Sequence, residues 1–404
     1  MRFWFQTAYG VAATQVMPIA SPGAYPTGQK SEGGEKEAFY KELATTVELE
    51  YNLWNMARKS PSKYAEPLAN EIEAKSIGQK RVMCLQLYGD GTGVIGKVSS
   101  QSVTSDVGAV VLATADTDRG FIGWCMEGDL LQARDNDNTA AGTPSVTGTF
   151  SYFKVYDVDR VNNTVYLKAY NSSGTALAMT DTGLVAGDYL YRNGQSTLID
   201  DTSITGDYNL LTENMAGLES LTAADGRNVH SITMSGSSKG TRYTCGGNPL
   251  DASYLQKGLS LVKVRAGEGK YSWKQMLMAP EALDALVEAK EVDRRFTVID
   301  DVKRGGKGFG YVHGNDTLMA VTSEFCPKNR IYCIPESKNG KKVLEAHITD
   351  FEAVRPAGEG SQFMMRPSAS TANHDRFIRA YLEAKGVLVC NHPAAILVVH
   401  NFTV

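Results

Sequence analysis

From Ser60 to Gly96 the sequence holds helical spacing for longer than most globular helices do, then breaks at Gly89-Asp90-Gly91-Thr92-Gly93. Ser60 before Pro61, or Glu66 before Pro67, supplies an N-cap followed by proline at the first helical position, where its missing N–H costs nothing. Ala65, Leu68, Ala69 and Ile72 fall three and four apart. Past Gly78 the pattern resumes at Arg81, Cys84, Leu85 and Tyr88, so the run reads as one apolar stripe. At about 1.5 Å per residue the helix would reach roughly 35 to 40 Å. A rod of that length serves as a spine on which other elements lean, and Gly89 is expected to end it as the residue after the C-cap.

The chain before this helix reads as extended. Residues 1 to 35 combine Phe3, Trp4 and Phe5 with a Pro/Gly/Ser-rich run from Pro18 to Gly34. Such a segment cannot bury its own aromatics, so an arm that docks on another surface is expected. Thr45-Thr46-Val47-Glu48-Leu49-Glu50-Tyr51-Asn52-Leu53-Trp54 then alternates polar and apolar residues, the period of a half-buried strand. Ala38 to Leu43 is its expected hairpin partner. A hairpin outside a core is unstable alone and must pack on a helix or a neighbouring subunit.

After the helix, residues 103 to 195 read as a small antiparallel barrel or sandwich. Short strand-like runs cover Val107–Leu112, Gly120–Leu131, Val146–Val158, Thr164–Tyr170 and Asp188–Tyr191. Asx- and Gly-rich turns separate them, and Asn162-Asn163 between Phe153–Val158 and Val165–Leu167 marks a hairpin. The second half mixes element types. Helices are expected at Tyr254–Lys263, at Met276–Arg295 beginning near Ala279-Pro280-Glu281, and around Phe377–Ala384. Strands are expected at Thr297–Ile299, Phe309–His313, Thr317–Val321, Arg330–Pro335, Val387–Cys390 and Ala395–Val399, the last two broken by Pro393.

A length of 404 residues exceeds what one hydrophobic core usually serves, so two or three domains are expected. The net charge of −4 offers no concentrated basic face, and any contact with DNA should be loose. The six cysteines are scattered without a C-x-x-C pair and read as reduced thiols of a cytosolic product. Met1 to Gln6 lacks the apolar core of a signal peptide, and no stretch approaches the apolar length of a membrane span, so no membrane partner is expected.

Motifs that could carry chemistry fail on context. Gly91-Thr92-Gly93-Val94-Ile95-Gly96 matches G-x-G-x-x-G, but a dinucleotide site needs a strand before it and a helix after it, and here that order is reversed. Gly305 to Gly310 lacks phosphate-loop spacing and reads as a turn between strands. Asp135-Asn136-Asp137-Asn138 lacks the glycine and distal glutamate of a calcium loop and reads as a solvated turn. The six histidines form no close pair, and no G-x-S-x-G elbow occurs. No catalytic set, no metal site and no cofactor is expected.

A dockable arm, a strand hairpin, a long helix and a mixed body, in that order, resemble the major capsid proteins of tailed bacteriophages with the Hong Kong 97-type fold. The run from Val82 to Val94 is similar to the end of their spine helix in one branch. Gly187-Asp188-Tyr189-Leu190-Tyr191-Arg192 and Gly217-Leu218-Glu219-Ser220-Leu221 are similar to the lead into the body, and Cys326-Pro327-Lys328-Asn329-Arg330-Ile331-Tyr332 to a late strand entry. The resemblance implies an α+β chain divided into an N-terminal arm (1–35), an extended hairpin loop (36–59), a spine helix with the start of a peripheral domain (60–102), an inserted β domain (103–195) and an axial domain with the rest of the peripheral domain (196–404).

It further implies a non-enzymatic shell protein, made in the host bacterial cytoplasm and resident in the virion. Copies would form hexamers and pentamers of an icosahedral head around double-stranded DNA, with portal, scaffolding and decoration proteins as further partners. Phe3, Trp4, Phe5, Val47, Leu49, Tyr51, Leu53 and Trp54 are the residues expected to be covered by neighbouring copies. Two other shell or particle roles compete: an encapsulin-like cellular compartment, and a tail or decoration protein, against which the long helix argues. A hydrolase or binding protein carrying a β module is the alternative of a different class.

Overall fold

The computed structural model describes residues 2–6, 33–38, 40–50, 61–91, 93–103, 106–113, 122–134, 150–171, 174–192, 215–222, 228–230, 232–234, 238–266, 271–289, 296–301, 306–314, 316–337, 342–349, 352–354, 364–365 and 377–404. Strands β1 (Arg2–Gln6) and β2 (Gly33–Glu37) pair antiparallel as a two-stranded ribbon. Next come β3 (Lys41–Glu50) and the 28-residue helix α1 (Pro61–Tyr88).

Pro61 opens α1 as expected, while Ser60 lies outside the described residues. At the other end the Gly89 N–H donates to Leu85 O at 3.0 Å and to Gln86 O at 3.2 Å. The left-handed backbone comes later than expected, at Gly91 (φ 86°) and Gly93 (φ 79°) rather than at Gly89. Nor does the helix carry one clean apolar stripe. Gln79 and Gln86 are buried beside Met83, Leu85 and Tyr88, whereas Ile77 is 58% exposed. The amides are inside because backbone groups there need partners: Gln86 Oε1 accepts from the Met215 N–H at 3.3 Å.

Seven strands follow: β4 (Val94–Val103), β5 (Gly108–Leu112), β6 (Leu130–Arg134), β7 (Phe150–Asp159), β8 (Thr164–Asn171), β9 (Ala176–Leu177) and β10 (Tyr189–Arg192). They run in the order β5-β4-β10-β6-β7-β8-β9, and a further pairing of β5 with β8 closes the first six into an antiparallel ring. A barrel is thereby chosen over a sandwich, and the closure leaves those strands no free edge. Its interior is Val98, Val110, Leu131, Phe153, Val165, Leu167 and Leu190, all buried on the alternate positions of their strands. The expected β7–β8 hairpin is present, with Asn163 at φ 50° and the Asp159 carboxylate accepting from the Val161 and Asn162 N–H groups. The sheet starts at Val94 rather than at 103, because the strand begins straight after the glycine turn.

The remainder holds α2 (Leu218–Thr222), the short pair β11 (Asn228–Val229) and β12 (Ile232–Thr233), then β13 (Thr241–Thr244), α3 (Ala252–Ala266), β14 (Tyr271–Met278) and α4 (Pro280–Glu288). After these come β15 (Phe296–Asp301), β16 (Gly306–His313), β17 (Asp316–Thr322), β18 (Arg330–Ser337), β19 (Leu344–Ile348), β20 (Glu352–Val354), β21 (Met364–Met365), β22 (Phe377–Cys390) and β23 (Leu397–His400). A mixed sheet in the order β13-β23-β18-β14-β17-β16-β15 forms the main core. All four residues of β23 are buried, and α3 packs on it with Leu255, Leu259, Val262 and Ala266, spaced four, three and four.

Several expectations need correction. Phe377–Ala384 is not a helix but the first half of β22, which bonds β3 along one edge and β19, β20 and β21 along the other. Ladder bonds on both sides outweigh the helical spacing of Phe377, Ala380 and Ala384. Ala38–Leu43 is not the hairpin partner of β3: Lys41 to Leu43 are its own first residues, and its partner is β22, from Lys41↔Gly386 to Glu50↔Phe377. Met276–Met278 lie in β14, so the helix expected from Met276 starts at Pro280 and ends at Glu288. Gly306 to Gly310 are strand, paired with β15, rather than a turn.

Candidate assembly surface

The spine helix is fastened to the β3–β22 ladder by one buried side chain. Gln79 Nε2 donates to Leu382 O on β22 at 2.6 Å and to Leu43 O on β3 at 3.3 Å. At the solvent end of the ladder Lys385 pairs with Glu42, and the Lys385 N–H donates to Thr349 Oγ1 at 2.9 Å. Among the described residues β3 pairs with β22 only, and its other edge has no described strand partner.

The end of α1 meets the main sheet at a charged cluster. Gly217 N–H donates to Gly89 O at 3.1 Å, and a Cβ on Gly217 would overlap the carbonyl oxygens of Gln86 and Leu87, so only glycine allows this crossing. Two residues later Glu219 lies 2.8 Å from Arg330 Nη1 and 3.4 Å from Arg242 Nη1, and accepts from the Tyr332 hydroxyl at 3.1 Å. Burial, with the Glu219 charge second, pushes the Tyr332 phenol well above its ordinary value. The carboxylate held by two guanidinium groups ties α2 to β13 and β18.

A second cluster joins α1 to the barrel. Asp129 accepts from Arg192 at 3.2 Å and lies 3.9 Å from Arg81, and both arginines reach Trp124 O, at 3.1 and 3.4 Å. Trp124 Nε1 donates to Phe325 O at 2.9 Å, linking barrel and main sheet. The β7–β8 turn adds another link, with Arg160 lying 3.8 Å from Glu281 on α4. Beside the glycine turn a cavity of about 40 Å³ is lined by Gln86, Asp90, Gly91, Val94, Trp124 and Met215. It has room for water, not for a nucleotide, and the G-x-G-x-x-G run does follow a helix, with its last three residues already in β4.

Five of the six cysteines are buried and Cys84 is half-buried. Burial pushes Cys125, Cys333 and Cys390 up to about 12, which keeps them as inert thiols at neutral pH. Among the described residues no group of three His, Cys, Asp or Glu could hold a metal ion, and no helix is long and apolar enough to cross a membrane.

The residues expected at subunit contacts divide into three sets. Phe3, Trp4 and Phe5 lie on β1, opposite Lys36, Glu35 and Gly34 of β2. Val47 and Leu49 lie on one face of β3, opposite Ala380 and Ile378 of β22. Tyr51, Leu53 and Trp54 lie outside the described residues, as does Asp135–Asn138. β1 and β3 belong to different sheets. Gln79, Glu219 and Asp129 escape sequence reading. A charge set among apolar residues, as in Leu218-Glu219-Ser220-Leu221, is the available signal, but it does not name the partner.

No protein-family model matches the chain, and no curated protein matches it. Among solved structures the chain is similar to phage capsid subunits and to an encapsulin. The cyanophage A-1(L) capsid has a TM-score of 0.45 at 11% identity, covering 100% of this chain and 88% of that one. The satellite phage P4 procapsid has a TM-score of 0.34 at 9% identity, covering 100% and 83%. The encapsulin of the holo-SrpI complex from Synechococcus elongatus has a TM-score of 0.28 at 12% identity, and this chain spans 56% of its length while 46% of this chain is covered.

Proposed function

We propose that this chain is the shell-forming subunit of a tailed-phage capsid, with an arm, an extended loop, a spine helix, and peripheral and axial domains arranged as in the Hong Kong 97-type fold. The observation that carries the reading is the β1–β2 ribbon, whose strands among the described residues pair only with each other. A lone two-stranded ribbon is marginal in water, and a ten-residue strand edge with no described strand partner, such as that of β3, invites pairing. Both are satisfied at once when another copy of the chain covers them.

On this reading residues 1–35 are the arm, 36–59 the loop that reaches a neighbour, and α1 the spine. The barrel is an inserted domain, and the β22 sheet and the main sheet belong to the peripheral and axial domains. Copies form hexameric and pentameric rings that close into an icosahedral head, and ties from several arms per subunit add avidity. A net charge of −4 suits a container of double-stranded DNA, because a basic lining would hold the packaged polymer back. Portal, scaffolding and decoration proteins complete the set of partners, the role is structural rather than catalytic, and the assembled protein resides in the virion.

Negative-stain electron microscopy of the purified full chain, with assay of nuclease-protected DNA in particles from infected or expressing cells, tests the reading. Closed shells that protect DNA are expected. Shells holding protein cargo and no DNA would replace the phage reading with that of a cellular compartment, and the absence of any shell would end both.

A further inference from the structure

We propose that the outer face of strands β7 and β8 is a binding site for an acidic sugar residue, a property separate from shell assembly. Phe153 and Val155 on β7, and Leu167 and Ala169 on β8, are buried in the barrel, so Tyr152, Lys154 and Tyr156 face outward beside Lys168 and Tyr170. Lys154 and Lys168 stand directly opposite each other in the antiparallel ladder. Like charges in that position repel and weaken a sheet. Among the described residues neither lysine meets a carboxylate, so the two ammonium groups form a local positive site on an acidic chain.

The surroundings of the two lysines define the ligand. Lys168 Nζ lies 4.2 Å from the centre of the Tyr156 ring, which is itself 54% exposed, and the Tyr152 and Tyr170 rings stack at 5.6 Å. The Gly128 N–H donates to Val155 O at 2.8 Å and sets Glu127-Gly128 as a wall against β7. The cleft is half open to solvent and has a volume of about 430 Å³, within the range of small-ligand sites. The two lysines on facing strands offer charged partners to a carboxylate, the exposed Tyr156 ring offers an apolar surface to a sugar, and hydroxyls find an acceptor in Glu127 and partners in the phenols.

Other anions fit less well. A peptide cannot add here as a strand, because β7 is flanked by β6 and β8, and β8 by β7 with β5 and β9. A polyphosphate carries several charges against two lysines and the Glu127 carboxylate at the wall, whereas a sugar with one carboxylate leaves its hydroxyls for Glu127. The cleft is also a single pocket rather than a basic groove along which a nucleic acid could run.

Saturation-transfer NMR on the full-length protein tests the proposal, with 3′-sialyllactose and a hyaluronan tetrasaccharide as probes and lactose, octaglutamate and oligothymidylate as comparisons. The acidic sugars should bind in the millimolar range, more weakly as salt is added. They should lose about tenfold or more in affinity in K154Q/K168Q, a pair of exposed or half-exposed changes expected to leave the thermal midpoint in place. Y156A should weaken binding while keeping its salt dependence. Absence of binding, equal binding of lactose, tighter binding of octaglutamate or oligothymidylate, or an unchanged affinity in a folded K154Q/K168Q would each overturn it. None of these failures bears on shell formation, which is read separately by microscopy.

Discussion

The side-chain amide of Gln79 donates to the backbone carbonyl of Leu382 at 2.6 Å, joining positions 303 apart in the chain. The same nitrogen reaches Leu43 O at 3.3 Å, so one buried residue ties the spine helix to both strands of the β3–β22 ladder. The spine helix therefore helps to hold β3, the strand whose second edge pairs with no described strand.

Replacing Gln79 with Met keeps length and shape and removes the donor from both carbonyls. The expected cost is about 1 to 3 kcal/mol, seen as a lower urea midpoint with an unchanged slope on the unassembled subunit. A midpoint equal to that of the parent protein would show that the clamp contributes nothing.

At the second tie, Glu219→Gln removes the charge that offsets Arg330, whose side chain is 3% exposed, and Arg242. Breaking such a buried pair costs about 3 to 5 kcal/mol, whereas replacing both partners with apolar groups recovers much of that loss. E219Q should thus melt well below the parent, and E219L/R330M above E219Q. Should the double variant melt below E219Q, the cluster's role is more than pairwise charge.

The pH dependence has a defined sign. Burial holds Tyr88, Cys125, Cys333 and Cys390 near 12, above the ordinary 10 for a phenol and 9 for a thiol. Folded values above unfolded ones mean that the native state keeps these protons longer. Their stabilisation is full below about pH 9 and is lost as pH climbs towards 12. Thermal midpoints should fall steadily above pH 9, less steeply in Y88F, and a midpoint that rises in that range contradicts the assignment.

How much of this was legible in the sequence depended on distance along the chain. Pro61 and the glycines after Tyr88 bound α1 locally, and Asn162-Asn163 marks the β7–β8 hairpin because Asn tolerates the left-handed backbone. The alternation in β3 announces a strand but not its partner, which lies on β22 far along the chain. For the same reason the spacing of Phe377–Ala384 suggests a helix where β22 begins, while Val387–Cys390 reads correctly as strand: the first stretch fits both periods, and only the strands on its two edges decide. The clamp of Gln79 and the cluster of Glu219 are tertiary, so no local pattern could reveal them.

On the face of β3 that carries Val47 and Leu49, replacing both with Asp should leave a soluble subunit that no longer forms shells, since the burial lost lies between copies. Far-UV circular dichroism should match the parent, and microscopy should find no particles. Normal particles from V47D/L49D would remove β3 from the interface.

Sedimentation velocity of the purified full-length chain across a range of concentrations tests self-association most directly. The account predicts a fast boundary of many-copy particles in equilibrium with, or in place of, the subunit. A single slow boundary of one copy at every concentration would contradict it.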